Sequence, residues 1–163
     1  MRRRLLASTI ALVSVAAATA PAVASTAVAH RSNISAVRAA TAPFHRLSVA
    51  EAQGYKDLGL CIDHMGEHWV DTDSVDGDEV PDVFQDGVLD PLHPEALVYA
   101  HERGRLRLVA VEWVSVAPGT VPGLGELHLN STLGVHVLHA WIWKHNPDGM
   151  FSDMNPRISN CPT

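Results

Sequence analysis

A carboxylate and an imidazole fall on strand faces that the sequence predicts to be buried. Successive side chains of an extended chain point to opposite faces. Glu112 then shares its face with Leu106, Leu108, Ala110 and Val114. By the same rule, His139 shares its face with Val137, Trp141 and Trp143. A third polar residue, His68, lies in a short predicted strand over residues 67–71.

Burial restricts the chemistry of these three side chains. An ionised carboxylate in the interior must be hydrogen-bonded, charge-paired or bound to a cation. Two imidazoles and one carboxylate form a ligand set for Zn, Cu or Fe. We therefore predict a buried metal site of His68, Glu112 and His139, with His128 as a reserve ligand. The alternative is a buried Glu and His that bond to each other and to the backbone without a metal.

Two classes of function fit these residues. The first is a non-catalytic module that binds a small ligand or a metal ion, with the His/Glu group as the polar part of its pocket. The apolar part of that pocket would be lined by Trp113, Trp141 and Trp143. The second is a metal-dependent enzyme, an oxygenase or hydrolase, with water at an open metal position. We predict the binding module, since no GxSxG motif or catalytic spacing marks an enzyme.

Two further metal sites are suggested by short motifs. Residues 71–82, DTDSVDGDEVPD, are acidic like a calcium loop, but the fifth position is Val75 and the glycine comes one place late. Cleavage before His30 would pair its free amine with its imidazole, which suits copper. The segment around His30 is predicted to be flexible and would not hold a metal rigidly. The His/Glu group is therefore the better candidate.

The N-terminal residues predict export. Residues 1–29 begin with Arg2, Arg3 and Arg4, continue with a short apolar run and end in small residues, as a secretory signal peptide does. Cleavage is expected after Ala24 or Ala29. The apolar run is short for a membrane span and no stop-transfer pattern follows it. We predict a secreted protein without a stable membrane anchor after cleavage.

The charge of the chain disfavours nucleic-acid partners. Of 12 Lys and Arg, three lie in the leader, which leaves nine against 18 Asp and Glu. Residues 57–90 contain eleven of the acidic residues and no Lys or Arg. Such a surface repels phosphate backbones. Small molecules and cations remain as candidate partners.

The two cysteines, Cys61 and Cys161, predict one disulfide. An exported protein with a single pair of cysteines is expected to oxidise them. The CxxC spacing of redox-active pairs does not occur.

The remaining pattern predicts an α+β domain. Residues 30–39 lack an apolar period and are predicted to be a flexible lead-in to a single domain over residues 40–163. A helix is expected to begin with a cap at Thr41 or Ser48 and to end near Gly54. Strands follow over 67–71, in a hairpin over 94–118 that turns at 102–104, over 125–130 and over 134–145.

We therefore expect an N-terminal helix followed by a curled, mostly antiparallel sheet of four to five strands, stapled by the one disulfide. Residues 146–149, Asn-Pro-Asp-Gly, have the residue types of a type I turn.

Several longer motifs resemble those of a family of short exported bacterial proteins. They are HMGEHWV, LDPLHPEALVY, GRLRLVAVEW, LHAWIWKHNPDGMF and NPRISNC. The resemblance covers residues 40–161 and departs from the family pattern at Trp69, where Tyr is commoner, and at Met154, where Trp is commoner. It implies a shared fold and carries no established activity.

Overall fold

The computed structural model describes residues 22–72, 84–131 and 133–161. Two helices, α1 (Ala22–Thr41) and α2 (Leu47–Ala52), flank a short 3-10 turn at Ala42–His45. The strands are β1 (Tyr55–Ile62), β2 (Gly66–Asp71), β3 (Ala96–Glu102), β4 (Arg105–Ser115), β5 (Thr120–Val121), β6 (Gly125–Glu126), β7 (His128–Asn130) and β8 (Val135–Ala140). In these residues no helix is long and apolar enough to cross a membrane.

Six strands form one curled antiparallel sheet in the order β1-β2-β3-β4-β8-β7, and β5 pairs with β6 in a separate ribbon. The predicted α+β class with a mostly antiparallel sheet is confirmed, with more strands than the four to five expected. One reason is β1, which the pattern did not predict because Asp57 and Gly59 resemble turn residues. Gly59 has φ of +73° and lies at a bulge where the β1–β2 register shifts. The second reason is that residues 125–130 divide into β6 and β7.

The prediction of a flexible lead-in over residues 30–39 is wrong. These residues belong to α1, and the side chains of Ile34 and Val37 are buried against the sheet. Two apolar residues three apart among alanines are a weak signal in sequence, yet they form the contact stripe of a helix. The predicted leader up to residue 21 lies outside the described residues, and cleavage after Ala24 or Ala29 would leave this buried stripe on the mature chain.

The helix predicted before Gly54 forms as α2, but its predicted caps do not. Its N-cap is Arg46, and no side chain caps it. Thr41 instead donates a hydrogen bond to the Val37 carbonyl (2.8 Å) at the end of α1. Gly54 follows the helix with φ of +94°, a conformation that glycine adopts without strain. The predicted end of the helix is therefore confirmed.

The sheet is covered on both faces. The helix-side face packs against Ile34, Val37 and Ala50 and carries Leu97, Tyr99, Leu108, Val111, Trp113 and Leu138. The opposite face, called here the inner face, is covered by the C-terminal segment through Ile158. It carries Val98, Ala100, Val109, Ala110 and Trp141.

A β-bulge decides which side chains of β4 reach the inner face. Val98 pairs with Ala110, but the next residue, Tyr99, pairs with Leu108, so Val109 is the extra residue. The bulge reverses the alternation, and Leu106 and Leu108 pack on the helix-side face. The prediction that they share a face with Glu112 is wrong for this reason.

The strand predicted over residues 134–145 ends early. β8 stops at Ala140, and the Trp141 amide then donates to the Met150 carbonyl (2.8 Å). The predicted turn at residues 146–149 closes the segment, because the Gly149 amide donates to the Asn146 carbonyl (3.3 Å). Trp141 and Trp143 therefore do not continue the alternation of β8.

The predicted disulfide between Cys61 and Cys161 is present. It joins β1 to the C-terminal segment, which is also held by the Asn155 amide donating to the His64 carbonyl (2.8 Å). The Cys161 amide donates to the Asp63 carboxylate (2.8 Å). The C-terminal segment is thus fixed over the inner face of the sheet.

We predict that Gly66→Ala lowers the free energy of unfolding by about 3 kcal/mol or more in urea denaturation. Gly66 begins β2 with φ of +116°, and an added Cβ would lie 2.4 Å from the Tyr99 carbonyl oxygen. The control is Gly59→Ala, where φ is +73° and no atom lies within 4 Å of the added Cβ. This change should cost about 1 to 2 kcal/mol, from backbone strain alone. Equal losses in the two variants would contradict the close approach of β2 to β3.

Candidate metal centre

Three central strands of the sheet bring the predicted polar residues together on the inner face. Glu112 of β4 pairs directly with His139 of β8. His68 lies on β2, one strand further away, and pairs with Val98 of β3. The β3 residue opposite Glu112 is Ala96, whose small side chain leaves space above the strand. His68 and Glu112 therefore meet across β3.

The three side chains form a compact buried cluster, called here the His/Glu cluster. Their exposed fractions are 2% for His68, 3% for Glu112 and 0% for His139. The His68 Nε2 lies 3.6 Å from the Glu112 Oε2, and the His139 Nδ1 lies 3.7 Å from the Glu112 Oε1. One ligand atom from each residue can be chosen so that all three lie within 4.8 Å of one another. The sequence thus predicted a group that the fold assembles.

The imidazoles of the His/Glu cluster are poorly hydrogen-bonded. No ring nitrogen of His68 or His139 makes a hydrogen bond of normal geometry among the described residues, although the Leu60 and Gly66 backbone lies near His68 and the Glu112 carboxylate lies near His139. The distances from the two rings to Glu112 exceed those of normal N–H···O hydrogen bonds, which are about 2.7 to 3.2 Å. Buried polar atoms are almost always well paired, so ring nitrogens without a hydrogen bond of normal geometry are candidate ligand atoms for a cation.

Burial and the neighbouring groups shift the pKa values of His68 and Glu112 in the same direction, below their ordinary values. Burial lowers the pKa of His68, and the charge of Glu112 and the nearby carbonyls of Leu60 and Gly66 oppose this effect only in part. Burial alone would raise the pKa of Glu112, but His139 and His68 outweigh it and lower that pKa. A neutral imidazole and a carboxylate are the forms in which these groups bind metals.

Trp141 is the one predicted aromatic residue that contacts the His/Glu cluster. Its ring centroid lies 4.5 Å from that of His139, and its Nε1 donates to the Ser152 carbonyl (2.6 Å). This hydrogen bond ties Trp141 to the C-terminal segment and fixes one wall beside the His139 ring.

The predicted pocket lined by three tryptophans does not form. Trp113 follows Glu112 in β4 and so points to the helix-side face, where its Nε1 donates to the Asp90 carbonyl (2.9 Å). Trp143 lies beyond the end of β8, with its ring centroid 4.5 Å from that of His45. The prediction that Trp113 and Trp143 share a pocket with the His/Glu cluster is therefore wrong.

The other predicted ligands lie outside the cluster. His128, the reserve ligand, is exposed and pairs with the Asp153 carboxylate (2.9 Å). Residues 73–83 of the acidic calcium-like segment lie outside the described residues. The side chain of His30 does as well.

Sequence reasoning missed a second buried carboxyl group, that of Glu95. Only 3% of Glu95 is exposed, and its Oε2 accepts a hydrogen bond from the Val114 amide (3.0 Å). Burial raises the pKa of Glu95 to about 8, and the charges of Asp86 and Asp71 act in the same direction. Glu95 stands just before β3, so strand alternation did not single it out.

The raised pKa of Glu95 predicts a pH-dependent stability. The unfolded chain releases this proton near pH 4.5, whereas the folded chain retains it up to a pH of about 8. Stability is therefore lost as the pH rises through this range. From pH 5 to pH 7.5, we expect the wild type to lose about 3 kcal/mol relative to Glu95→Gln, measured by urea denaturation. Parallel pH profiles of the two proteins would refute the assignment.

No protein-family model, curated protein or solved structure matches this chain. The resemblance drawn from its motifs therefore remains a prediction. Its function has to be inferred from the His/Glu cluster and its surroundings.

Proposed function

We propose that this protein is a secreted, non-catalytic module that binds one divalent transition-metal ion between His68, Glu112 and His139. The observation that carries the proposal is the grouping of three buried ligand atoms within 4.8 Å of one another, with no hydrogen bond of normal geometry at any ring nitrogen of the two histidines. A metal ion would supply a partner for one nitrogen of each ring and would compensate the charge of the buried carboxylate.

The dimensions of the His/Glu cluster suit Zn²⁺. In a tetrahedral site with bonds of 2.0 to 2.2 Å, neighbouring ligand atoms lie about 3.3 to 3.6 Å apart. The separations of 3.6 and 3.7 Å join the two histidines to different oxygens of Glu112, and one ligand atom from each residue can be chosen within 4.8 Å of the others, so side-chain rotations would draw the three ligands together around the ion. The same two nitrogens and one oxygen also accept Cu²⁺ or Fe²⁺.

The burial of the His/Glu cluster supports a binding role over catalysis. A catalytic metal keeps one position open to water and substrate. Here all three ligands are at most 3% exposed, and the C-terminal segment covers their face of the sheet. The alternative of a metal-dependent oxygenase or hydrolase would require that segment to move away.

Secretion is the second part of the proposal. It is supported by the three-part pattern of residues 1–29 and by the disulfide, which is stable in an oxidising compartment. Mass analysis of protein collected from the culture medium should show a chain that begins at Ser25 or His30. A chain retained in the cell with Met1 intact would contradict it.

The metal is tested by elemental analysis of protein purified without chelators. We expect about one Zn, Cu or Fe per chain in the wild type and a loss of more than 90% of it in His139→Gln. The control is His128→Gln, which removes an exposed histidine outside the His/Glu cluster and should keep the metal. A metal-free wild type that also fails to bind Zn²⁺, Cu²⁺ or Fe²⁺ during refolding would overturn the proposal.

A further inference from the structure

A cavity of about 900 Å³ opens at the end of the β3–β4 hairpin and is lined by none of the three cluster residues. Arg103, Arg105 and Arg107 of the hairpin lie on one side, and Lys144 and Arg157 lie on the other. Five of the nine Lys and Arg beyond the leader therefore surround one cavity, in a chain with twice as many acidic residues. We call it the basic cavity.

The arginines of the basic cavity are not neutralised by neighbours. Within the part of the chain that the structure describes, Arg103, Arg105, Arg107 and Arg157 make no ion pair. Lys144 differs, because it pairs with Glu102. Burial and then the charge of Arg107 lower the pKa of His45, which also lines the cavity. Four arginines thus line one cavity in which Glu102 is the one lining carboxylate among the described residues, while Glu67 lies behind the lining residue His101 and pairs with it.

Two irregularities, the bulge in β4 and the early end of β8, bring cationic residues to the basic cavity. The bulge at Val109 pairs Arg107 with Ala100 and Arg105 with Glu102, so the two arginines share the inner side of the hairpin. Because β8 ends at Ala140, it pairs with β4 only over residues 111–115. The amides of Trp143 and Lys144 both donate to the Val109 carbonyl (3.2 and 3.0 Å), which brings these two residues beside the arginines.

The position of Arg157 depends on the disulfide-anchored C-terminal segment. Asn155 accepts a hydrogen bond from the Arg157 amide (3.0 Å), and Ile158 is buried in the inner-face core. The backbone at Arg157 is therefore held in place before any ligand arrives, which reduces the entropy lost on binding.

We propose that the basic cavity binds a compact polyanion, a small molecule with several phosphate or sulfate groups. Guanidinium groups match the oxygens of phosphate and sulfate with paired hydrogen bonds. Trp143, half-buried and packed beside His45, forms part of the wall and adds apolar surface to the cavity. A long polyanion such as nucleic acid is disfavoured by the eleven acidic residues of 57–90.

The proposal is tested by calorimetric titration of the metal-free wild type in EDTA, so that the His/Glu cluster takes no part. The probes are inorganic tripolyphosphate and sucrose octasulfate, which separate phosphate from sulfate as the preferred group. We expect one probe molecule per chain, with binding that weakens as salt is raised. The double variant Arg105→Gln and Arg107→Gln should bind at least about 10-fold more weakly.

The matched control is Lys56→Gln, which removes an exposed cation on β1. It should leave the affinity within about twofold of the wild type, because exposed charges far from the cavity are screened by salt. Circular dichroism would verify that the double variant is folded. No binding of either probe at millimolar concentration, or equal weakening in Lys56→Gln and the double variant, would overturn the proposal.

Discussion

Zn²⁺ at 1,000-fold excess over its dissociation constant is expected to raise the free energy of unfolding by about 4 kcal/mol. A ligand that binds only the folded chain stabilises it by mass action, and the His/Glu cluster exists only when β2, β4 and β8 are assembled. Equilibrium urea denaturation in Zn²⁺ and in EDTA measures the difference. Because the chain unfolds and refolds during the measurement, the metal can reach even a fully buried site.

Glu112→Gln tests which group carries this stabilisation. The amide has nearly the shape of the carboxylate but lacks its charge, so the effect of Zn²⁺ should fall below about 1 kcal/mol while the chain stays folded. The matched control is Glu126→Gln, an exposed carboxylate on β6, which should keep the full effect. Stabilisation of Glu112→Gln by Zn²⁺ to the wild-type extent would remove the carboxylate from the proposed ligands.

Replacing both Cys61 and Cys161 by Ser should lower the free energy of unfolding by about 4 to 5 kcal/mol. The disulfide spans 100 residues, so its loss gives the unfolded chain a large gain in conformational entropy. Urea denaturation of the double variant against the oxidised wild type measures the change, with the reduced wild type as a second comparison. A loss below about 1 kcal/mol would mean that the hydrogen bonds at Asn155 and Cys161 hold the C-terminal segment without it.

The two buried carboxyl groups show why burial alone does not fix a charge state. Glu112 and Glu95 are equally buried, at 3% exposed each. The pKa of Glu112 is lowered because two imidazoles stand beside it, whereas that of Glu95 is raised because burial outweighs its hydrogen bond to the Val114 amide. We expect the first to act as an anionic ligand and the second as a neutral structural group.

Sequence alone determined the features that depend on neighbouring residues or on composition: which segments are strands, where the hairpin turns, and which cysteines pair. Apolar alternation identified β2, β3, β4 and β8, a Gly-containing turn placed the β3–β4 hairpin, and a single cysteine pair implied the disulfide. Glu112 and His139 of the His/Glu cluster followed from the same alternation, whereas His68 was added because it lies in a predicted strand of a region without Lys or Arg. Glu112 was correctly predicted to be buried even though two of its four predicted face neighbours, Leu106 and Leu108, lie on the other face.

Contacts between distant segments decided the rest. The early end of β8 depends on contacts with other segments, so alternation along one strand could not show that Trp143 lies away from the His/Glu cluster, whereas alternation alone already places Trp113 on the face opposite Glu112. α1 packs on the sheet through a few buried residues, Ile34 and Val37 among them. Their role as a contact stripe depends on the sheet and could not be read from the helix sequence alone. The meeting of His68 with Glu112 above Ala96, and of five cations at one cavity, depends on which strands lie side by side. Side-chain pattern is a property of the local chain, whereas register and strand order are set by packing of the whole domain.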